Sequence, residues 1–150
     1  PEEVLRLADD LLLNEEEKLD ELETLEVNLW KADAYLAGGK HELAIQMYNK
    51  MKDVAMELEC AQNMMTIRRG YCRASYELGD YDGAIGWGEK AIQLSRHFSG
   101  NHRYVAMAHR AKGDIEGARK AISRGILYEQ RFDEGNMQLN KQFLNELNSV

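Results

Sequence analysis

Gly39-Lys40-His41-Glu42-Leu43-Ala44-Ile45, Gly79-Asp80-Tyr81-Asp82-Gly83-Ala84-Ile85 and Gly113-Asp114-Ile115-Glu116-Gly117-Ala118-Arg119 follow one pattern. Each opens on a turn glycine, passes a polar or acidic helix start and reaches an alanine five residues on. The glycines lie 40 and then 34 residues apart, the period of stacked helical hairpins. A unit of that kind cannot bury its apolar face alone, so the pattern implies an array in which neighbours share a core.

Composition agrees with this reading. The 150 residues are 44% hydrophobic with a single proline, and runs of Ala, Leu, Glu, Lys and Arg favour helix. β-Branched residues are too scattered to alternate along strands. The expected class is all-α. No apolar run approaches membrane-spanning length, and acids stand in the first thirteen residues where a secretory leader needs bases, so no membrane insertion is expected. Cys60 and Cys72 form no CxxC pair and read as reduced core thiols in a cytoplasmic protein.

The spacing predicts about eight helices. The first runs from Glu2 to Leu13. The second starts in Glu15-Glu16-Glu17, whose charge suits a helix N-terminus, and ends at Ala37 before Gly38-Gly39. His41 to Leu58, Ala61 to Leu78 and Tyr81 to Arg96 follow. Ser99-Gly100-Asn101 reads as a break, after which His102 to Lys112 and Ile115 to Arg131 form a third pair. Asn136 to Leu147 reads as a closing helix, with Met137, Phe143, Leu144 and Leu147 on its apolar side and several asparagines outward. One domain, 1–150, is expected, with repeats near 26–59, 65–98 and 99–132 and flanking helices at 2–13 and 136–149.

These residues resemble the tetratricopeptide repeat family. Ala32, Tyr35, Gly39, Ala44 and Tyr48 in the first unit fall on the family's small, aromatic and glycine positions. Cys72, Gly79, Asp80, Tyr81, Ala84 and Ala91 do so in the second, and Ala106, Gly113, Asp114 and Ala118 in the third. Small residues at these positions let paired helices cross closely. No proline ends any second helix, and Gly88 and Gly125 stand where larger residues are common. The resemblance covers roughly Asn28 to Arg131 and implies a right-handed α-solenoid of about three hairpins with flanking helices.

The resemblance also implies a scaffold that binds a protein or peptide in a concave groove lined by the first helix of each hairpin. Its inner positions correspond here to Glu26, Leu29, Asp33, Leu36 and Ala37, then Thr66, Arg69, Arg73, Tyr76 and Glu77, then Gly100, Arg103, Met107, Arg110 and Ala111. Arg69, Arg73, Tyr76, Arg103, Met107 and Arg110 are the candidate peptide-binding residues. Arg69 and Arg73 sit four apart on one face, where like charges repel by a few tenths of a kcal/mol unless an anion lies between them. An acidic or carboxylate-bearing peptide is the expected partner. Chaperone tails are disfavoured, because Leu29 and Asp33 replace the lysine and asparagine of the clamp that binds them in that subfamily.

Charge is unevenly distributed. Residues 1–59 carry 16 acids against 6 bases, and residues 60–150 carry 10 acids against 13 bases. A net charge of −7 argues against a general nucleic-acid binder. The alternative reading is an oligomerisation or regulatory segment of a larger protein, in which the acidic half of one copy meets the basic half of another in a homodimer. A small-ligand sensor is a third class.

Other chemistry is poorly served. Gly83 to Lys90 lacks the Gly-Lys-Ser/Thr ending of a phosphate loop and follows no strand, so its glycines read as sites of close helix approach. His97, His102 and His109, with Cys60 and Cys72, lack metal-ligand spacing. No strained elbow surrounds Ser75, Ser95 or Ser99, and no catalytic residue, metal or cofactor is expected. Met47, Met51, Met56, Met64 and Met65, with Trp30 and Trp87, read as packing residues, while the resemblance implies that Met107 faces the groove.

Overall fold

The computed structural model describes residues 1–14, 18–95, 99–129 and 134–149. Among them the chain forms eight helices: α1 (Glu2–Leu13), α2 (Glu21–Ala37), α3 (His41–Glu57), α4 (Ala61–Glu77), α5 (Tyr81–Leu94), α6 (Ser99–Ala111), α7 (Ile115–Glu129) and α8 (Glu134–Asn148). Each packs on its sequence neighbours. The even-numbered helices α2, α4, α6 and α8 also touch one another in series, whereas no two odd-numbered helices touch among the described residues. The even helices therefore form the inner layer of a curved stack, and α8 joins it as a fourth member. No described helix is long and apolar enough to cross a membrane.

The turns explain the repeat. Gly39, Gly79 and Gly113 have φ of 76°, 81° and 81°, a left-handed region that strains residues with a Cβ. Behind each, the next N–H reaches back five residues: Lys40 to the Tyr35 carbonyl at 2.8 Å, Asp80 to Ser75 at 2.9 Å and Asp114 to His109 at 2.9 Å. This is the Schellman closure, which satisfies carbonyls at a helix end. The α3–α4 turn closes likewise, with Cys60 N–H on the Ala55 carbonyl at 3.1 Å, but Glu59 stands at φ 50° where glycine would be unstrained.

Small residues sit where helices cross. Ala32, Ala44, Ala84, Ala106 and Ala118 are fully buried, as is Cys72. Burial also pushes the Cys72 thiol up to about 12, so it is an inert packing group. A Cβ on Gly88 would collide with Val105 and crowd Cys72, so this glycine does admit a close approach. Gly86 faces open space, and Gly83 lies against its own cap residue, Asp80.

Several expectations change. α2 begins at Glu21, where Asp20 and Glu23 form a reciprocal capping box, each accepting from the other's backbone N–H at 2.8 Å. The acidic run 15–17 lies outside the described residues, as do Arg96, His97 and Arg131. Ser99-Gly100-Asn101 is helical and opens α6. In α8, Met137 and Leu144 are half-buried and Phe143 and Leu147 buried, Asn145 is exposed, and Asn140 is buried with the apolar side. Trp30 is 53% exposed and Met56 61%, so neither is a core filler. Trp87 does pack, stacked 4.5 Å from Tyr71.

The cap of α7 carries a pH dependence. Asp114 accepts from Gly117 N–H at 2.8 Å and meets His109 Nδ1 at 2.8 Å, and these contacts hold its carboxyl below the ordinary 3.8. Its stabilising contribution is therefore complete above that value and is lost as pH falls through the lower, folded value. Asp114→Asn keeps an oxygen acceptor but no charge. Its thermal midpoint is expected to vary less with pH than the wild-type midpoint below pH 3.8. Parallel profiles would show that the carboxylate adds nothing.

Candidate functional site

The inner helices bring three of the predicted arginines to one cavity. Asp33 and Leu36 from α2, Arg69, Gly70 and Arg73 from α4, and Gly100, Arg103 and Tyr104 from α6 line a recess of about 290 Å³. Arg69 and Arg73 are one helical turn apart on α4, and Arg103 faces them from the next inner helix.

The three arginines are not equivalent. Arg69 Nη2 lies 4.0 Å from Asp33 Oδ2, so the anion that the Arg69–Arg73 pair requires is supplied in part by the chain itself. Asp33 is held in turn by Tyr48, whose hydroxyl donates to Asp33 Oδ1 at 2.5 Å from helix α3. Tyr48 is fully buried, and burial together with the Asp33 charge pushes its phenol well above the usual range. Gly70 makes this crossing possible, because a Cβ there would overlap the Tyr48 ring.

Arg73 and Arg103 have no carboxylate within ion-pair distance among the described residues. Both are half-buried, and Arg73 Nε is shielded from solvent without a hydrogen-bond partner. A partly desolvated guanidinium in this state gains from an incoming anion, because the cost of removing its water has already been met in the folded protein. Tyr104 stands beside them. Burial raises its pKa, while the charges of Arg73 and Arg103 pull in the other direction.

The remaining candidates lie outside the recess. Arg110 Nη1 pairs with Glu146 Oε2 of α8 at 3.3 Å, and its guanidinium sits 4.3 Å from the centre of the Phe143 ring. It ties α6 to α8. Met107 is half-buried against the core of the second half, so it does not open to the groove as expected. Tyr76 packs edge-on to Tyr104 with ring centres 5.8 Å apart and supports that wall from behind. Tyr104 and Gly70 were not among the candidates. Their only sequence signal was adjacency to Arg103 and Arg69.

Of the residues weighed for a metal, His97 lies outside the described residues and the others do not share a place. His102 is buried and stacks 6.0 Å from Tyr128, His109 belongs to the α7 cap, and Cys60 and Cys72 are free thiols. Among the described residues no group of three or more His, Cys, Asp or Glu converges.

No family model matches this sequence, and no curated protein does. Among solved structures it is similar to the first TPR domain of the human RPAP3 protein, determined by NMR. The two share 20% identity at a TM-score of 0.62, over 84% of this chain and 96% of that domain. This likeness, with the turn glycines and the inner row of helices, shows that the chain has the tetratricopeptide repeat fold: an all-α solenoid of stacked hairpins.

Proposed function

We propose that this chain is a protein-interaction scaffold, not an enzyme, and that its inner groove binds an acidic, carboxylate-bearing peptide. One observation carries the reading: Arg73 and Arg103 face a common open recess while partly desolvated and without an acidic partner among the described residues. Arginine holds a carboxylate through two parallel N–H bonds, and two arginines on adjacent helices define where that carboxylate sits. The excess of acids over bases elsewhere repels polyanions at large and confines attraction to this recess. Two free thiols fit a reducing, cytoplasmic compartment.

Self-association is less well supported. In the basic half, Lys112 pairs with Asp82, Arg124 with Glu89 and Arg110 with Glu146. These internal pairs leave less positive charge to meet the acidic half of a second copy.

The test is titration of a labelled Asp/Glu-rich peptide against wild type and the Arg73→Ala, Arg103→Ala double variant. A loss of about 2 kcal/mol is expected, with helicity unchanged. Arg119 and Arg124 are unsuitable controls: Arg119 Nη2 donates to the Leu147 carbonyl at 2.7 Å, and Arg124 pairs with Glu89. Lys120→Ala with Lys141→Ala, both exposed, supplies the charge-matched control. Equal losses from the two pairs, or no wild-type binding of the peptide, would remove this function.

A further inference from the structure

We infer that the groove has a second, apolar subsite between α1 and α2, and that its peptide carries a large apolar side chain three to five residues from the acidic one. The inference rests on the acidic-peptide reading above.

Pro1 and Val4 of the α1 end, with Trp30, Asp33, Ala34 and Ala37 of α2, wall a recess of about 390 Å³. All of these except Asp33 have apolar side chains. Val4 is 43% exposed and Trp30 53%, although they come from different helices and flank one opening. Single exposed apolar residues are ordinary on a protein surface; two that share a recess mark a place where burial is available. Trp30, Asp33, Ala34 and Ala37 recur at the spacing of one helix face, and the two alanines give the recess its depth. Tryptophan is among the side chains enriched at the few positions that carry most of the binding energy of protein interfaces.

This recess shares walls with the arginine cavity. Asp33 lines both, and an intermediate hollow between them is walled by Glu26, Trp30, Asp33, Gln62, Thr66 and Arg69 among others. The inner surface thus passes from cationic through polar to apolar along one path. α1 is fixed beside it by buried Ala8 and by Lys31 Nζ on Asp9 Oδ1 at 2.5 Å. The two subsites are one to two helix spacings apart, roughly 10–18 Å for packed helices. An extended peptide covers that span in about three to five residues.

Two labelled peptides decide the matter: one with a glutamate and a leucine four residues apart, and the same peptide with serine for leucine. Fluorescence anisotropy of Trp30→Ala is expected to show about tenfold weaker binding of the leucine peptide and unchanged binding of the serine peptide. Val4→Ser should act in the same direction. Arg73→Ala with Arg103→Ala should weaken both peptides. If Trp30→Ala and Val4→Ser leave the leucine peptide unchanged, or weaken both peptides equally, the apolar subsite is wrong while the arginine site stands. Concentration-dependent dimers abolished by Trp30→Ala would assign the recess to a second copy and also overturn it. Failure of both peptides to bind wild type would remove the groove reading itself.

Discussion

Gly70→Ala is expected to destabilise the fold by about 3 kcal/mol, at the upper end for an added methyl in a packed interior. The new Cβ would overlap the Tyr48 ring, and that ring has nowhere to go. It is fully buried, its hydroxyl is bonded to Asp33, and its centre lies 5.7 Å from that of the tilted Tyr71 ring. Tyr48→Ala alone should cost about 4 kcal/mol through the cavity that it leaves. The two changes relieve one another, so the double variant should cost clearly less than their sum. Urea melts of the four proteins measure this. A Gly70→Ala midpoint equal to that of wild type would show that the ring shifts freely, and with it Asp33 at the edge of the arginine cavity.

Leu147→Ala is expected to cost about 3 kcal/mol, although it lies three residues from the end of the sequence. Leu147 is 1% exposed and packs with Val105, Ala118, Ile122 and Phe143, and its carbonyl accepts from Arg119. Leu139→Ala on the same helix is the contrast. That side chain is 50% exposed and should change stability by less than about 0.5 kcal/mol. Equal midpoints for the two variants would mean that α8 frays from the stack in solution. A large difference would establish it as a structural member of the inner layer, as its contact with α6 implies.

The fold was legible because its causes are local and repeated. A glycine at positive φ and an alanine at each crossing return at a fixed period, and single residues of those kinds can be read without knowing what they touch. The start of α2 was misread for the opposite reason: the acids at 15–17 and the capping box at Asp20 and Glu23 carry the same sign, and only geometry separates them. In the candidate site, the family resemblance implied inner positions for Arg69, Arg73 and Arg103, and the structure sets all three around one cavity. It could not show that Asp33 already faces Arg69, that Glu146 faces Arg110, or that Met107 turns into the core. Each of those outcomes depends on a partner from another helix. Trp30 was hidden in the same way, since its exposure depends on how α1 crosses α2.

Among the described residues the apolar interior gathers in two bodies. One gathers α2, α3 and α4 around Leu25, Tyr48 and Ile67; the other gathers α6, α7 and α8 around Val105, Ile122 and Leu147. Helix α5 spans the two, giving Trp87 to the first and Ile85 and Ile92 to the second. Asp33, Leu36, Arg69 and Arg73 stand on one side of that seam, and Arg103 and Tyr104 on the other. A rod stacked from nearest-neighbour contacts can melt in segments. A ligand gripping Arg73 and Arg103 together would act as a staple across the seam, tying the two halves of the stack into one melting unit.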